Sequence, residues 1–240
     1  MAPLLETVGL TKSFKGLTAN RDIDFTLEAG ATRCVIGPNG AGKTTFLSLI
    51  SGHERPTAGK ILYRQGDITS LSVVARARLG VARKFQTPSV FPDLTAFQNI
   101  ELAAMRGTRM PSMRHARVLE VLEMVRLGAQ QEVPAQFLSH GQRQWLEIGM
   151  LVAMEATLFL LDEPAAGMTA EETAATVDLV RDITRKHGVS VIVIEHDMNF
   201  VRRLDAPVTV LHLGSVLAQG SFEEIAADLQ VQDAYLGRAA

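Results

Sequence analysis

The stretch Gly37-Pro38-Asn39-Gly40-Ala41-Gly42-Lys43-Thr44 limits what this chain can fold into more than any other part of it. Its glycines let successive backbone N–H groups converge on phosphate oxygens, and Lys43 adds a cation at the same place. Such a loop needs a strand before it and a helix after it. Both are legible: Cys34-Val35-Ile36 reads as a buried strand, and Lys43 to Ser51 has helix-forming character stopped by Gly52 and Pro56. The helix N-terminus favours an anion. Thr44 is placed to ligate Mg2+, and the adjoining Thr45 counts among the nucleotide-binding positions.

A second segment supplies carboxylates. Leu158-Phe159-Leu160-Leu161-Asp162-Glu163 is an apolar strand with two acids at its end, where parallel α/β sheets put their ligand sites. Asp162 is expected to hold the Mg2+ shell and Glu163 to polarise an attacking water, because phosphoryl transfer depends on positioning and charge stabilisation.

Around these motifs the texture changes twice. The opening third reads as short strands, with alternation through Asp22-Ile23-Asp24-Phe25-Thr26-Leu27. The middle third is helical, with apolar spacing in Thr95 to Met105, Arg114 to Leu127 and Gln142 to Met154. The last third returns to strands at Leu158 to Leu161 and Val189 to Ile194, with an amphipathic helix from Ala170 to His187 between them. That alternation predicts a βα core with a parallel sheet. No repeat or second phosphate loop occurs, so one nucleotide-binding unit over residues 1–240 is expected, with a helical subdomain inserted at about 87–155.

Composition excludes several classes. With 47% hydrophobic and 21% charged residues the chain is neither disordered nor fibrous. A formal net charge of -2 gives no global attraction to nucleic acid, and none is expected as a partner. The lone Cys34 cannot form an internal disulfide. Apolar runs fall short of the roughly 18–20 residues that cross a bilayer. Met1 to Leu10 contains Glu6 and lacks the pattern of an export signal.

Leu138-Ser139-His140-Gly141-Gln142 resembles the signature of the ABC transporter ATPases, and it precedes the Asp162-Glu163 strand in that family's order. The resemblance covers essentially the whole chain, from Phe14 to Ala234-Tyr235-Leu236-Gly237. It implies a P-loop NTPase core of the ABC type, α/β, with a parallel sheet, an N-terminal antiparallel β portion and the inserted α-helical subdomain. It also implies ATP and Mg2+ as cofactors. Residue by residue, Phe14 resembles the aromatic that stacks adenine, Gln86 the Q-loop glutamine, counted with the catalytic and the Mg2+-binding positions, and His196 the switch histidine, counted with Glu163 among the catalytic ones. Ser139, Gly141 and Gln142 correspond to the segment that contacts the phosphate held by a second cassette. The implied partners are a second copy or a related ATPase subunit, integral membrane permease subunits and, indirectly, a solute-binding protein. The implied location is the cytoplasmic face of the inner membrane.

Two departures narrow the resemblance. His140 stands where the signature usually has its central glycine, and Pro164-Ala165-Ala166-Gly167-Met168-Thr169 lacks a leucine-aspartate pair common after the catalytic carboxylate. Both look like the ATPases of branched-chain amino-acid and urea importers, with Ser139 to Glu147 most like the urea branch. Urea import is therefore the expected role, with branched-chain amino-acid import or an exporter or lipid-extraction ATPase as the alternatives. Thr87 to Leu94, broken by Pro88 and Pro92, is expected to display Val90, Phe91 and Leu94 to a membrane-subunit helix.

Overall fold

The computed structural model describes residues 2–84, 90–107 and 111–236. The chain opens with the hairpin β1 (Leu5–Phe14) and β2 (Leu17–Leu27), then enters the central strand β3 (Thr32–Ile36), the loop at 37–42 and α1 (Lys43–Ser51). Next, β4 (Ala58–Tyr63) returns antiparallel to β1 and continues into the short β5 (Gly66–Asp67), so the N-terminal portion forms an antiparallel sheet ordered β2-β1-β4-β5. The helix α2 (Val73–Leu79) leads to β6 (Val81–Lys84).

Helices α3 (Ala96–Ala104), α4 (Pro111–Met124) and α5 (His140–Ala153) follow, before the chain re-enters the main sheet at β7 (Leu158–Asp162). They pack on one another at Gly149, where Ile100, Val121 and Val125 approach so closely that only hydrogen fits comfortably. Two boundaries differ from the sequence reading. The helix placed at Arg114 begins at Pro111, because proline's fixed φ suits a first helical position, and it stops before Arg126, whose φ is 60°. The helix placed at Gln142 begins at His140, because the Ser139 side chain caps it.

The last third runs through α6 (Ala170–His187), β8 (Ser190–Ile194), α7 (Met198–Leu204), the hairpin β9 (Val208–His212) and β10 (Ser215–Gly220), then α8 (Phe222–Ala227) and α9 (Leu229–Leu236). The main sheet is ordered β10-β9-β3-β8-β7-β6, parallel except for β10. Both faces are covered, which is why the central strands β7 and β8 are buried along their whole length and read as apolar runs instead of alternating with polar residues. Leu158 and Leu160 face the core shared with α1 and the antiparallel sheet, whereas Phe159 and Leu161 face the core shared with the helices. Register then aligns the exits: Val35 pairs with Ile194, and Ile194 with Asp162. The segments that leave β3, β7 and β8 therefore emerge side by side. Among the described residues no helix is long and apolar enough to cross a membrane.

Candidate active site

The loop at 37–42 curls around its own lysine. Lys43 Nζ donates to the carbonyls of Gly37 at 2.7 Å and Pro38 at 3.0 Å, and its side chain is almost fully enclosed. Burial lowers the Lys43 pKa, while Glu163 and Asp162 oppose that shift. Gly42 adopts φ 98°, and a Cβ there would collide with the carbonyl of Ala19 on β2. The turn after β9 closes the other side, with the Gly214 N–H donating to the Ala41 carbonyl at 3.1 Å.

These elements surround an open cavity of about 450 Å³. Asn39, Gly40, Ala41, Gly42, Lys43, Thr44 and Thr45 line it from the loop and helix. Glu163 and His196 line it from the ends of β7 and β8, with His196 Nε2 donating to Glu163 Oε1 at 2.9 Å. Glu163 is held at φ 50°, a conformation that costs a non-glycine residue free energy. Leu17 and Leu213, both well exposed, complete the rim.

Asp162 lies behind Glu163 and is buried. Burial raises its pKa, and Arg83, whose Nη2 stands 3.1 Å from Asp162 Oδ2, opposes the rise. Arg83 also donates to Ser48 Oγ on α1 at 2.8 Å, tying β6 to that helix. Among the described residues Asp162 Oδ1 has no hydrogen-bond partner, although it is buried. An unsatisfied buried carboxylate oxygen close to the start of α1 is chemically suited to a hard cation. Thr44, on the first turn of α1, lines the phosphate-loop cavity and carries a hydroxyl oxygen of the same hard-donor class. Among the described residues no group of three His, Cys, Asp or Glu could enclose a metal, so a cation here would share its coordination with phosphate and water.

The other candidates fall elsewhere. Phe14 is not part of the cavity wall; its ring sits under Lys12 Nζ, 4.5 Å from the centroid. Ser139, Gly141 and Gln142 lie at the start of α5, away from the cavity. Ser139 Oγ accepts from the Gln142 N–H at 3.1 Å, and Gln142 Oε1 accepts from the Ser139 N–H at 2.9 Å, a reciprocal cap. Gln86 lies outside the described residues.

Glu195 is a residue that the sequence motifs do not single out. It is buried one residue before His196, accepting from the Ala165 N–H at 2.9 Å and the His196 N–H at 3.2 Å. Burial pushes its pKa up to about 7, against those two N–H groups. A carboxylate ending the apolar run Val191 to Ile194 is the one signal of it in the sequence. Arg83 offers none, since its partner is 79 residues away.

Comparison with known proteins places this geometry in a family. The pattern of the ABC transporter family matches residues 20–166, and that of a branched-chain amino acid ATP-binding cassette transporter matches residues 215–240. The chain is 34% identical to the high-affinity branched-chain amino acid transport ATP-binding protein BraF of Pseudomonas aeruginosa, over 99% of both chains. It is 33% identical to LivG of Escherichia coli, a protein of the same description, again over 99% of both. It is also 34% identical to the lipopolysaccharide export system ATP-binding protein LptB of Acidithiobacillus ferridurans, over 99% of this chain and 98% of that one. A solved ABC-transporter ATP-binding cassette in its ADP conformation superposes with a TM-score of 0.88 at 24% identity, covering 99% of this chain and all of that one. The fold is thus that of an ABC cassette, and the chain belongs to the ATP-binding subunits of the ABC transporter family, which are ATPases.

Proposed function

We propose that this chain binds and hydrolyses ATP to drive an importer of the branched-chain amino-acid type, as a single cassette over residues 1–240 with its helical insertion at about 87–155. The observation that carries this reading is the contact between Glu163 and His196 on the wall of the phosphate-loop cavity. Lys43 and the N–H groups of residues 37–45 would cradle the phosphates. Thr44 and Asp162 would hold Mg2+, joined by Gln86; when bound, the ion neutralises charge on the phosphate oxygens. Glu163 would orient the attacking water, and His196 would contact the terminal phosphate.

The start of α5 would act on a different nucleotide. With Ser139, Gly141 and Gln142 outside their own chain's cavity, the reading requires a second cassette, identical or related, whose ATP they would contact. Phe14, paired with the cavity-lining Leu17 across the β1–β2 hairpin, would reach adenine from that side. Permease subunits would carry the solute and anchor the pair at the cytoplasmic face of the membrane, supplied by a solute-binding protein.

The expected urea specificity is not what the comparisons favour. The relatives BraF and LivG and the pattern at residues 215–240 support the amino-acid alternative. Urea import remains the second reading on one observation, the segment Ser139 to Glu147 with His140 near its start. LptB, at similar identity, supports an exporter alternative. Copurifying the chain with its permeases and assaying ATP-driven uptake of leucine and urea into vesicles tests all three. Leucine uptake is the expected result; urea uptake alone, or copurification with a lipid exporter, overturns it.

A further inference from the structure

The two departures from the family pattern, His140 and the segment after Glu163, touch each other. His140 Nε2 stands 2.9 Å from the Ala166 carbonyl, which accepts a hydrogen bond from the ring N–H. Gly167 makes this approach possible: it has φ 72°, and a Cβ there would lie 3.3 Å from that nitrogen. Trp145 Nε1, further along α5, donates to Thr176 Oγ1 on α6 at 2.9 Å, so α5 is held against the helix that follows the same segment.

The opposite side of the segment is held by Glu195. Its two oxygens take the N–H groups of Ala165 and His196 and so tie the residues after Glu163 to the residue that contacts Glu163. Glu163 itself occupies a left-handed conformation, which persists only where its surroundings over-determine it. Its N–H donates to the Ile194 carbonyl at 2.9 Å, and its own carbonyl accepts from Ala166 at 3.2 Å.

We infer that His140 and Glu195 are positioning residues that brace the segment 164–167 from two sides and thereby hold Glu163 in its hydrolytic pose, linking the start of α5 to the active site of the same chain. This rests on the nucleotide reading above and adds to it. A cassette that engages a partner's nucleotide through Ser139, Gly141 and Gln142 would pull on the helix that carries His140. The backbone at Ala166 would then transmit that pull to Glu163. The usual signature glycine has no side chain with which to make this contact.

The test uses the full chain with its permeases for turnover and the free chain for amide hydrogen exchange. His140 is exposed, so His140→Ala should keep the parental melting temperature. It is expected to lower kcat about tenfold with ATP affinity within about twofold, a split that a general loss of folding does not produce. It is also expected to speed exchange at Ala165 N–H, on the far side of the segment. His140→Gln, whose amide can still donate to the Ala166 carbonyl, should restore both. Combined with Glu195→Ala, His140→Ala should cost less than the product of the single losses, because the two act on one segment. Parental kcat in His140→Ala, unchanged exchange at Ala165, or multiplicative losses would each overturn the brace. Failure of the nucleotide reading would show separately, as a parental chain that binds no ATP.

Discussion

Glu163 and His196 come from the ends of adjacent parallel strands, and their side chains meet at 2.9 Å on the cavity wall. Neither can be replaced without changing what the other faces. Glu163→Gln keeps the shape and an oxygen for His196 Nε2 but removes the charge that, in the proposed role, would organise the attacking water. Turnover should fall by roughly 10²-fold or more, the usual scale for losing such a group, while ATP binding persists. Parental kcat in the assembled Glu163→Gln complex would remove Glu163 from its proposed role.

Lys43→Ala should act on binding. It deletes a cation that the phosphates would draw away from the Gly37 and Pro38 carbonyls, a charge-assisted bond worth about 1.5–3 kcal/mol. ATP affinity should drop by one to two orders of magnitude, as those energies imply. His196→Ala should leave affinity nearly intact and lower kcat instead. Calorimetry with ATP distinguishes them, and equal affinity in Lys43→Ala and parental protein would contradict the phosphate role of the loop.

Much of this site is legible in the sequence because its parts are local. The phosphate loop, the Asp162-Glu163 strand end and the 170–187 helix each carry their signal within about 18 residues. The parallel core follows from apolar runs alternating with helices, whereas the antiparallel pairing of the N-terminal strands is implied only by the family resemblance. What stays hidden is set by tertiary distance. Arg83 meets Asp162 only because β6 pairs with β7, and Glu195 reaches Ala165 only because β7 pairs with β8. Phe14 depends on both levels: it carries a family signal in sequence, and only the β1–β2 pairing that sets it against Leu17 brings it beside the cavity. The transported solute is hard to read for another reason, since the few residues around His140 that suggest urea belong to a chain whose machinery handles nucleotide and would touch no solute.

Arg83 should matter through Asp162. Removing its guanidinium takes away the direct ion pair of buried Asp162 and leaves Lys84 to oppose the rise in its pKa, a loss that for a buried pair typically costs up to about 3–5 kcal/mol. Arg83→Ala is expected to melt at lower temperature. Its Asp162 pKa should climb further, so more Mg2+ would be needed for half-maximal hydrolysis near pH 6 than near pH 8. An unchanged Mg2+ requirement at both pH values would show that Arg83 does not govern Asp162.

Glu195 should imprint the pH dependence of stability. Its folded pKa is raised to about 7, so the native state binds this proton more tightly than the unfolded chain. Its contribution is therefore fully present below the unfolded carboxylate range and lost as pH rises through about 7, a change on the order of 3 kcal/mol. Glu195→Gln cannot titrate. Urea denaturation from pH 4.5 to 8 should show the parental chain losing more stability than Glu195→Gln over that window. Parallel curves would mean that Glu195 is not the titrating group.

The surface offered to the membrane partner can be tested at Phe91. Of the expected docking segment 87–94, residues 87–89 lie outside the described residues. In the remainder Asn99 is fully buried and dictates the backbone. Its Nδ2 donates to the carbonyls of Phe91 at 3.1 Å, Leu94 at 3.1 Å and Thr95 at 3.0 Å, and its Oδ1 accepts from the Phe91 N–H at 2.8 Å. Held this way, Val90 packs inward on the helical core while Phe91 is 51% exposed. Phe91→Asp should therefore cost the isolated chain little, because no buried contact is broken. An apolar docking surface would instead receive a desolvated, unpaired charge, which is expensive. The variant is expected to bind ATP normally and melt within a few degrees of the parent, yet to copurify poorly with permease and lose most of its transport. Unfolding of Phe91→Asp would mean that the ring packs within the chain. Normal assembly and uptake would take this loop out of the docking surface.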